Sequence, residues 1–128
     1  MAKPAPIVFF DIAGPDQRAL SAFYAGNFGW SISAGTGTIP AESTGGTPGV
    51  IRQDPAEKLL YLGVADINQA LKQITASGGK VLVGRTVVPR VVTFALFADP
   101  AGNRMGLAEF GSYPTGQTKE KRGGGIGR

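Results

Sequence analysis

Apolar residues along this chain fall at two spacings, and the switches between them divide it into elements. Ile7-Val8-Phe9-Phe10-Asp11-Ile12 is a β-branched and aromatic run that stops at Gly14-Pro15, which predicts a strand and a turn. Asp16 stands where a helix would begin, and Leu20, Phe23, Tyr24 and Phe28 recur at helical spacing. A helix is therefore expected over 16–27, closed by Gly29. Trp30-Ser31-Ile32-Ser33 restarts a strand. From residue 34 to 49 Gly, Thr, Ser and Pro erase the periodicity, and short strands are expected near 38–41 and 49–52. Lys58-Leu59-Leu60-Tyr61-Leu62-Gly63-Val64 predicts the next strand. Asp66 with Gln69 three residues on reads as a capping box for a second helix, whose apolar face is Ile67, Ala70, Leu71 and Ile74. Gly78-Gly79 ends it. Strands over 80–83 and 91–98, a turn at Asp99-Pro100-Ala101-Gly102-Asn103, and a last strand over 104–110 complete the pattern.

The order repeats: strand, helix, strands, then strand, helix, strands. An offset of 51 positions sets Ala19-Leu20 on Ala70-Leu71, Phe23 on Ile74 and Trp30 on Val81. Each helix must cover a sheet, so two like halves form one α+β domain over residues 1–110, with modules at about 7–52 and 58–110. The segment 111–128 holds six glycines and no apolar period, and is expected to be a disordered basic tail.

Composition then narrows the chemistry. The chain has no cysteine, which excludes disulfides, thiolate nucleophiles and zinc–thiolate clusters, and no histidine, which removes the commonest metal ligand and general base. The net charge of +4 is misleading about partners. Four of the 13 Lys/Arg and one of the 9 Asp/Glu follow residue 110, so the body is almost neutral and carries no basic face for nucleic acid. The apolar run at the amino terminus is too short to span a membrane or form a signal-peptide core, and a cytoplasmic location is expected. Gly35-Thr36-Gly37 and Gly45-Gly46 lack the lysine and following helix of a phosphate loop.

Three stretches resemble the vicinal oxygen chelate superfamily, which includes glyoxalase I, the extradiol dioxygenases and the bleomycin-resistance proteins. They are Phe23-Tyr24 with Phe28-Gly29-Trp30, then Leu62-Gly63-Val64-Ala65-Asp66 through Ala70-Leu71 to Gly78-Gly79-Lys80-Val81, and finally Phe97-Ala98-Asp99-Pro100-Ala101-Gly102-Asn103-Arg104-Met105-Gly106-Leu107. The resemblance implies two paired βαβββ modules whose curved mixed sheets enclose a cavity, commonly completed in a homodimer. It also implies metal ligands on the first and last strands of each module. Those positions fall at Phe9, Leu59 and Gly106, with the fourth near Ile51 or Arg52, so no metal, no cofactor and no metal-dependent catalysis are expected.

Strand alternation puts Phe9 and Asp11 on one face, Leu59, Tyr61 and Gly63 on another, and Arg104 with Gly106. With Arg52 as a second cation, these residues make candidate contacts for a small organic ligand, anionic or neutral. No nucleophile-and-base pair can be named, so no catalytic residue is assigned and binding is favoured over catalysis. The alternatives are a metal-free lyase or isomerase with Asp11 or Tyr61 as the proton-transfer group and Arg104 stabilising charge and, after it, a metal-dependent glyoxalase or dioxygenase as in the family resembled. Plain core roles for Phe9, Leu59 and Tyr61, and a turn or ion-pair role for Asp11, stand beside both readings.

Overall fold

The computed structural model describes residues 3–113. Its mixed α+β fold runs β1 (Ile7–Gly14), α1 (Gln17–Phe28), β2 (Thr38–Ile39), α2 (Ala41–Thr44), β3 (Gly49–Gln53), β4 (Glu57–Val64), α3 (Ile67–Ala76), β5 (Lys80–Val88), β6 (Val92–Ala98) and β7 (Arg104–Glu109). Two compact units divide it: one holds Phe10–Lys58, the other Leu59–Tyr113 with the chain up to Phe9. No helix among the described residues is long and apolar enough to cross a membrane.

In the unit Phe10–Lys58, β1 and β3 are parallel and β2 lies antiparallel on β3. The Asp16 carboxylate caps α1 by accepting from Ala19 N at 3.0 Å, and Gly29, at φ 71°, ends the helix in the left-handed conformation. Residues 30–33 correct the expected pattern, because they form no strand. Ser33 N donates to Thr38 O and Gly37 N donates to Ser33 O, turning the chain back at once. Gly37, at φ 74°, lies so close to β3 that a Cβ there would strike the Ile51 carbonyl oxygen, so neither its conformation nor its space admits a side chain. Run 33–37 reads Ser-Ala-Gly-Thr-Gly, and this turn chemistry overrides the apolar alternation of Trp30 and Ile32. The short α2 likewise replaces the end of the strand expected over 38–41; Pro40 precedes it and Gly45, at φ 90°, stops it.

In the other unit the strand order is β4-β7-β6-β5, with β4 and β7 parallel and the remaining pairs antiparallel. Asp66 accepts from Gln69 N at 3.0 Å and starts α3, as the capping residues predicted. Its apolar stripe buries Ile67 and Leu71 against Ala95, Phe97 and Leu107, each such side chain contributing about 1.5–3 kcal/mol. β5 continues five residues past its expected end at 83, because Gly84 sits inside the strand as part of a bulge and does not end it. Beyond β7 the Ser112 hydroxyl accepts from Thr93 N at 2.9 Å, while residues 114–128, most of the expected tail, lie outside the described residues.

Glu109 faces α3. Its carboxylate accepts from both Arg85 Nε and Nη2, at 3.0 and 2.6 Å, and from Ile67 N at 3.4 Å. The Arg85 hydrogen bonds hold its carboxyl below the ordinary glutamate range, against a smaller opposing effect of desolvation. A carboxyl depressed in the folded state adds stability above its unfolded pKa, and that stability is lost as pH falls through the folded value. Glu109→Gln should therefore melt lower than the native chain at neutral pH. Thermal melts taken down through about pH 4 should show the gap closing, and a gap that persisted at lower pH would refute the linkage.

Candidate functional site

Partners across a parallel pair share a face, and Asp11 is in register with Val50, Ala13 with Arg52. The Phe10 ring belongs to the opposite face, where it meets Trp30 at 5.7 Å, and Leu20 of α1 reaches Gly14 there. Asp11 and Arg52 thus stand on the face of the β2-β3-β1 sheet that α1 leaves uncovered. Asp11 is 2% exposed. Arg52 Nη2 donates to Asp11 Oδ1 at 3.1 Å and to Glu57 Oε2 at 2.8 Å, and Nη1 donates to Asp54 Oδ2 at 2.7 Å. One guanidinium gathers three carboxylates, an arrangement rich in acceptor oxygens. Asp54 and Glu57 were missed from sequence; the only signal was that residues 52 and 54 fall on one face when a strand alternates.

In the other unit Tyr61 and Gly106 are in register on β4 and β7, and the tyrosine ring lies over the glycine. A Cβ at Gly106 would come within 2.5 Å of Tyr61 Cε2 and 2.8 Å of Cγ. The Phe9 ring meets the Tyr61 ring edge-on at 5.4 Å, and Phe94 meets it at 6.5 Å. Leu59 is buried two residues before Tyr61 on the same face of β4, and this face is opposite to the one where Leu62 and Val64 pack near α3. Arg104 is exposed at the start of β7, paired with Ala98.

The metal that the superfamily resemblance implies does not fit these residues. Phe9 and Leu59 present hydrocarbon, and the space a ligand from position 106 would need is filled by the Tyr61 ring. Among the described residues, no group of three or more His, Cys, Asp or Glu is placed to hold a metal ion.

A third feature was invisible to periodicity. Beside α1 a groove of about 520 Å³ runs between Arg18, Ser21 and Ala25 of the helix and Ile32, Ser33 and Gly35 of the following loop. Ser21, Ala25, Ser33 and Gly35 are small, and Arg18 and Ile32 are the larger side chains on its walls.

Against known proteins, residues 7–108 match the family model of the glyoxalase-like domain. The anthracycline biosynthesis protein DnrV of Streptomyces peucetius is 28% identical over 123 residues, a match covering 77% of this chain and 45% of that protein. The chain therefore spans less than half the length of this relative. Among solved structures, Streptomyces coelicolor methylmalonyl-CoA epimerase in complex with 2-nitronate-propionyl-CoA superposes with a TM-score of 0.59 at 16% identity, covering 84% of this chain and 98% of that one. A 4-hydroxymandelate synthase mutant from the same organism gives 0.61 at 17% identity, covering 89% of this chain and 41% of that one. At such identities these structures speak for the fold alone. With the family model spanning both units, the chain belongs to the glyoxalase-like domain family of the vicinal oxygen chelate superfamily.

Proposed function

We propose that this domain is a metal-independent binding module for a small organic molecule. The observation that carries the reading is the Tyr61 ring seated on Gly106, with Phe9 against it, where metal-dependent relatives would place ligands. Polar recognition is assigned to Asp11 and Arg52, a pair in which the carboxylate is buried and the guanidinium partly exposed, on the face that α1 leaves uncovered. Replacing such a pair by apolar residues is often neutral or stabilising, so stability is a poor reason for its presence. The chemistry also narrows the ligand class. Arg52 already serves three carboxylates, so a bound anion would meet those oxygens, whereas a neutral or cationic group that donates hydrogen bonds would be accepted by them. Relatives named for anthracycline biosynthesis support an organic ligand.

A thermal-shift screen with neutral and cationic organic compounds, run on the native chain and on Asp11→Asn, Arg52→Lys and Arg104→Ala, tests this. A compound at a hundred times its Kd adds about 2.7 kcal/mol, a rise in Tm of several degrees. Hits should lose most of that shift in the Asp11 and Arg52 variants. Equal shifts in all proteins would place the ligand elsewhere. Turnover of a hit by metal-free protein would replace binding with the isomerase or lyase reading, in which Asp11 moves the proton.

A further inference from the structure

Helix α1 carries two stripes. Phe23, Tyr24 and Phe28 make an aromatic cluster with Trp30, whereas Arg18, Ser21, Ala22 and Ala25 recur at i, i+3, i+4 and i+7 and form the helix wall of the 520 Å³ groove. The opposite wall is the loop 32–35, part of the segment whose expected strand does not form. Both walls are fastened to one residue of β3: Gln17 Nε2 donates to Ile51 O at 2.7 Å, and Ile51 N donates to Gly37 O at 2.8 Å. Ile51 is fully buried, so this anchor is firm. A Cβ built at Gly35 would meet nothing within 4 Å, which leaves that end of the groove open. Hydrogen bonds to a buried strand thus hold the walls apart before any ligand arrives, and a preformed cleft of this volume suits a small molecule.

We infer that this groove is a second binding site, for an organic anion with an apolar body. Arg18 is the one charged side chain among the described residues that line it, and no carboxylate lines it. Among the described residues Arg18 makes no ion pair; Asp16, the nearest acid in sequence, is engaged at the helix cap, where its Oδ1 accepts from Ala19 N. A cation in the first turn of a helix opposes the helix dipole, so helix stability does not account for Arg18. A carboxylate or sulfonate would be held by the forked guanidinium donors, with the Ser21 hydroxyl as a further donor one turn on. Beyond it Ala22, Ala25 and Ile32 offer hydrocarbon. The rise from residue 18 to residue 25 is about 10 Å, the length of a fused two-ring body. The chain's own end is a poor occupant, because Lys119, Lys121, Arg122 and Arg128 against Glu120 would bring more positive charge to Arg18. This preference is opposite to that of the Asp11–Arg52 face, where carboxylate oxygens dominate, and the inference does not rest on the reading of that face.

Two fluorescent probes share one hydrocarbon body and differ in charge: anilinonaphthalenesulfonate carries a sulfonate that phenylnaphthylamine lacks. Titrated into the full chain, the sulfonate should bind at one equivalent and about tenfold or more tighter than the neutral amine, the worth of a charge-assisted hydrogen bond. Arg18→Gln should remove about that factor for the sulfonate and leave the amine unchanged, and Arg18→Lys should keep part of it. Ala25→Phe places a ring in the groove from an exposed helix position and should weaken both probes. Lys72→Gln, which deletes an exposed cation on α3, should weaken neither. Because Arg18 and Ala25 are not on the Asp11–Arg52 face, failure of the thermal-shift screen and failure here are separate results. The proposal is overturned if the sulfonate binds no tighter than the amine, if Arg18→Gln leaves its affinity unchanged, if Lys72→Gln costs as much as Arg18→Gln, or if Ala25→Phe leaves both probes bound as before.

Discussion

Replacing Gly106 by Glu, a residue type able to ligate a metal, should unfold most of the chain and not create a metal ligand. The Tyr61 ring occupies the space in which even a Cβ would lie, and Phe9 and Phe94 stand against that ring. Overpacking of this kind costs about 1–3 kcal/mol, which is the expected loss for Gly106→Ala. The glutamate adds a carboxylate with hydrocarbon neighbours, on the order of 3–5 kcal/mol more, and the sum approaches the whole stability of a typical domain. Tyr61→Ala, which removes the obstructing ring, should cost about 3–5 kcal/mol through the cavity it leaves. Combining it with Gly106→Ala should then cost less than the two losses added together, because the new methyl group enters the space the ring vacated. Denaturant unfolding of the four proteins measures that coupling. A Gly106→Glu protein as stable as the native chain, and able to take up zinc or nickel stoichiometrically, would show that the position is not packed as described.

The elements that could be read in the sequence are those whose signals are local. Asp16 and Asp66 cap helices because their carboxylates reach backbone N–H groups three residues on, and both caps form. The stripe Ile67, Ala70, Leu71 and Ile74 meets a core because helical spacing puts all four on one face. Where two local signals competed, the sequence was ambiguous. At Trp30 to Ser33 the alternation of apolar residues predicted a strand, but the glycines at 35 and 37 reverse the chain and the strand is lost. At Gly84 the opposite happened: the strand expected over 80–83 runs on through the glycine, which is absorbed as a bulge while the ladder to β6 continues. The site residues divide in the same way. Alternation grouped Asp11 with Phe9, Tyr61 with Leu59 and Gly63, and Gly106 with Arg104, but beyond the shared face of residues 52 and 54 it carried no signal for the carboxylates that meet at Arg52 or for the ring over Gly106. Both arise from side chains brought together by pairing between separate strands.

Removing the Arg52 charge should be the other severe change, and the reason lies in how unevenly its partners are exposed. Asp11 has 1% of its side chain accessible, against 22% for Glu57 and 53% for Asp54. Arg52→Met keeps the length of the stem and deletes the guanidinium. Glu57 and Asp54 then recover hydration, at the modest cost of losing a surface ion pair, about 0–1 kcal/mol each. Asp11 cannot, and breaking a buried pair from one side typically costs 3–5 kcal/mol. Because the Arg52 side chain is itself 28% exposed, the low end of that range, about 3 kcal/mol, is expected. The companion variant Asp11→Leu/Arg52→Met replaces the pair with apolar groups of similar bulk, and should regain most of the loss while remaining unable to bind the ligand. Urea unfolding of the native chain, both single variants and the double gives the coupling directly. A single variant within about 0.5 kcal/mol of the native chain would reduce the pair to an ordinary surface contact. A double variant that regained stability yet still bound the ligand would take Asp11 and Arg52 out of recognition altogether, whereas stability regained with binding lost would separate what the pair does for the fold from what it does for the ligand.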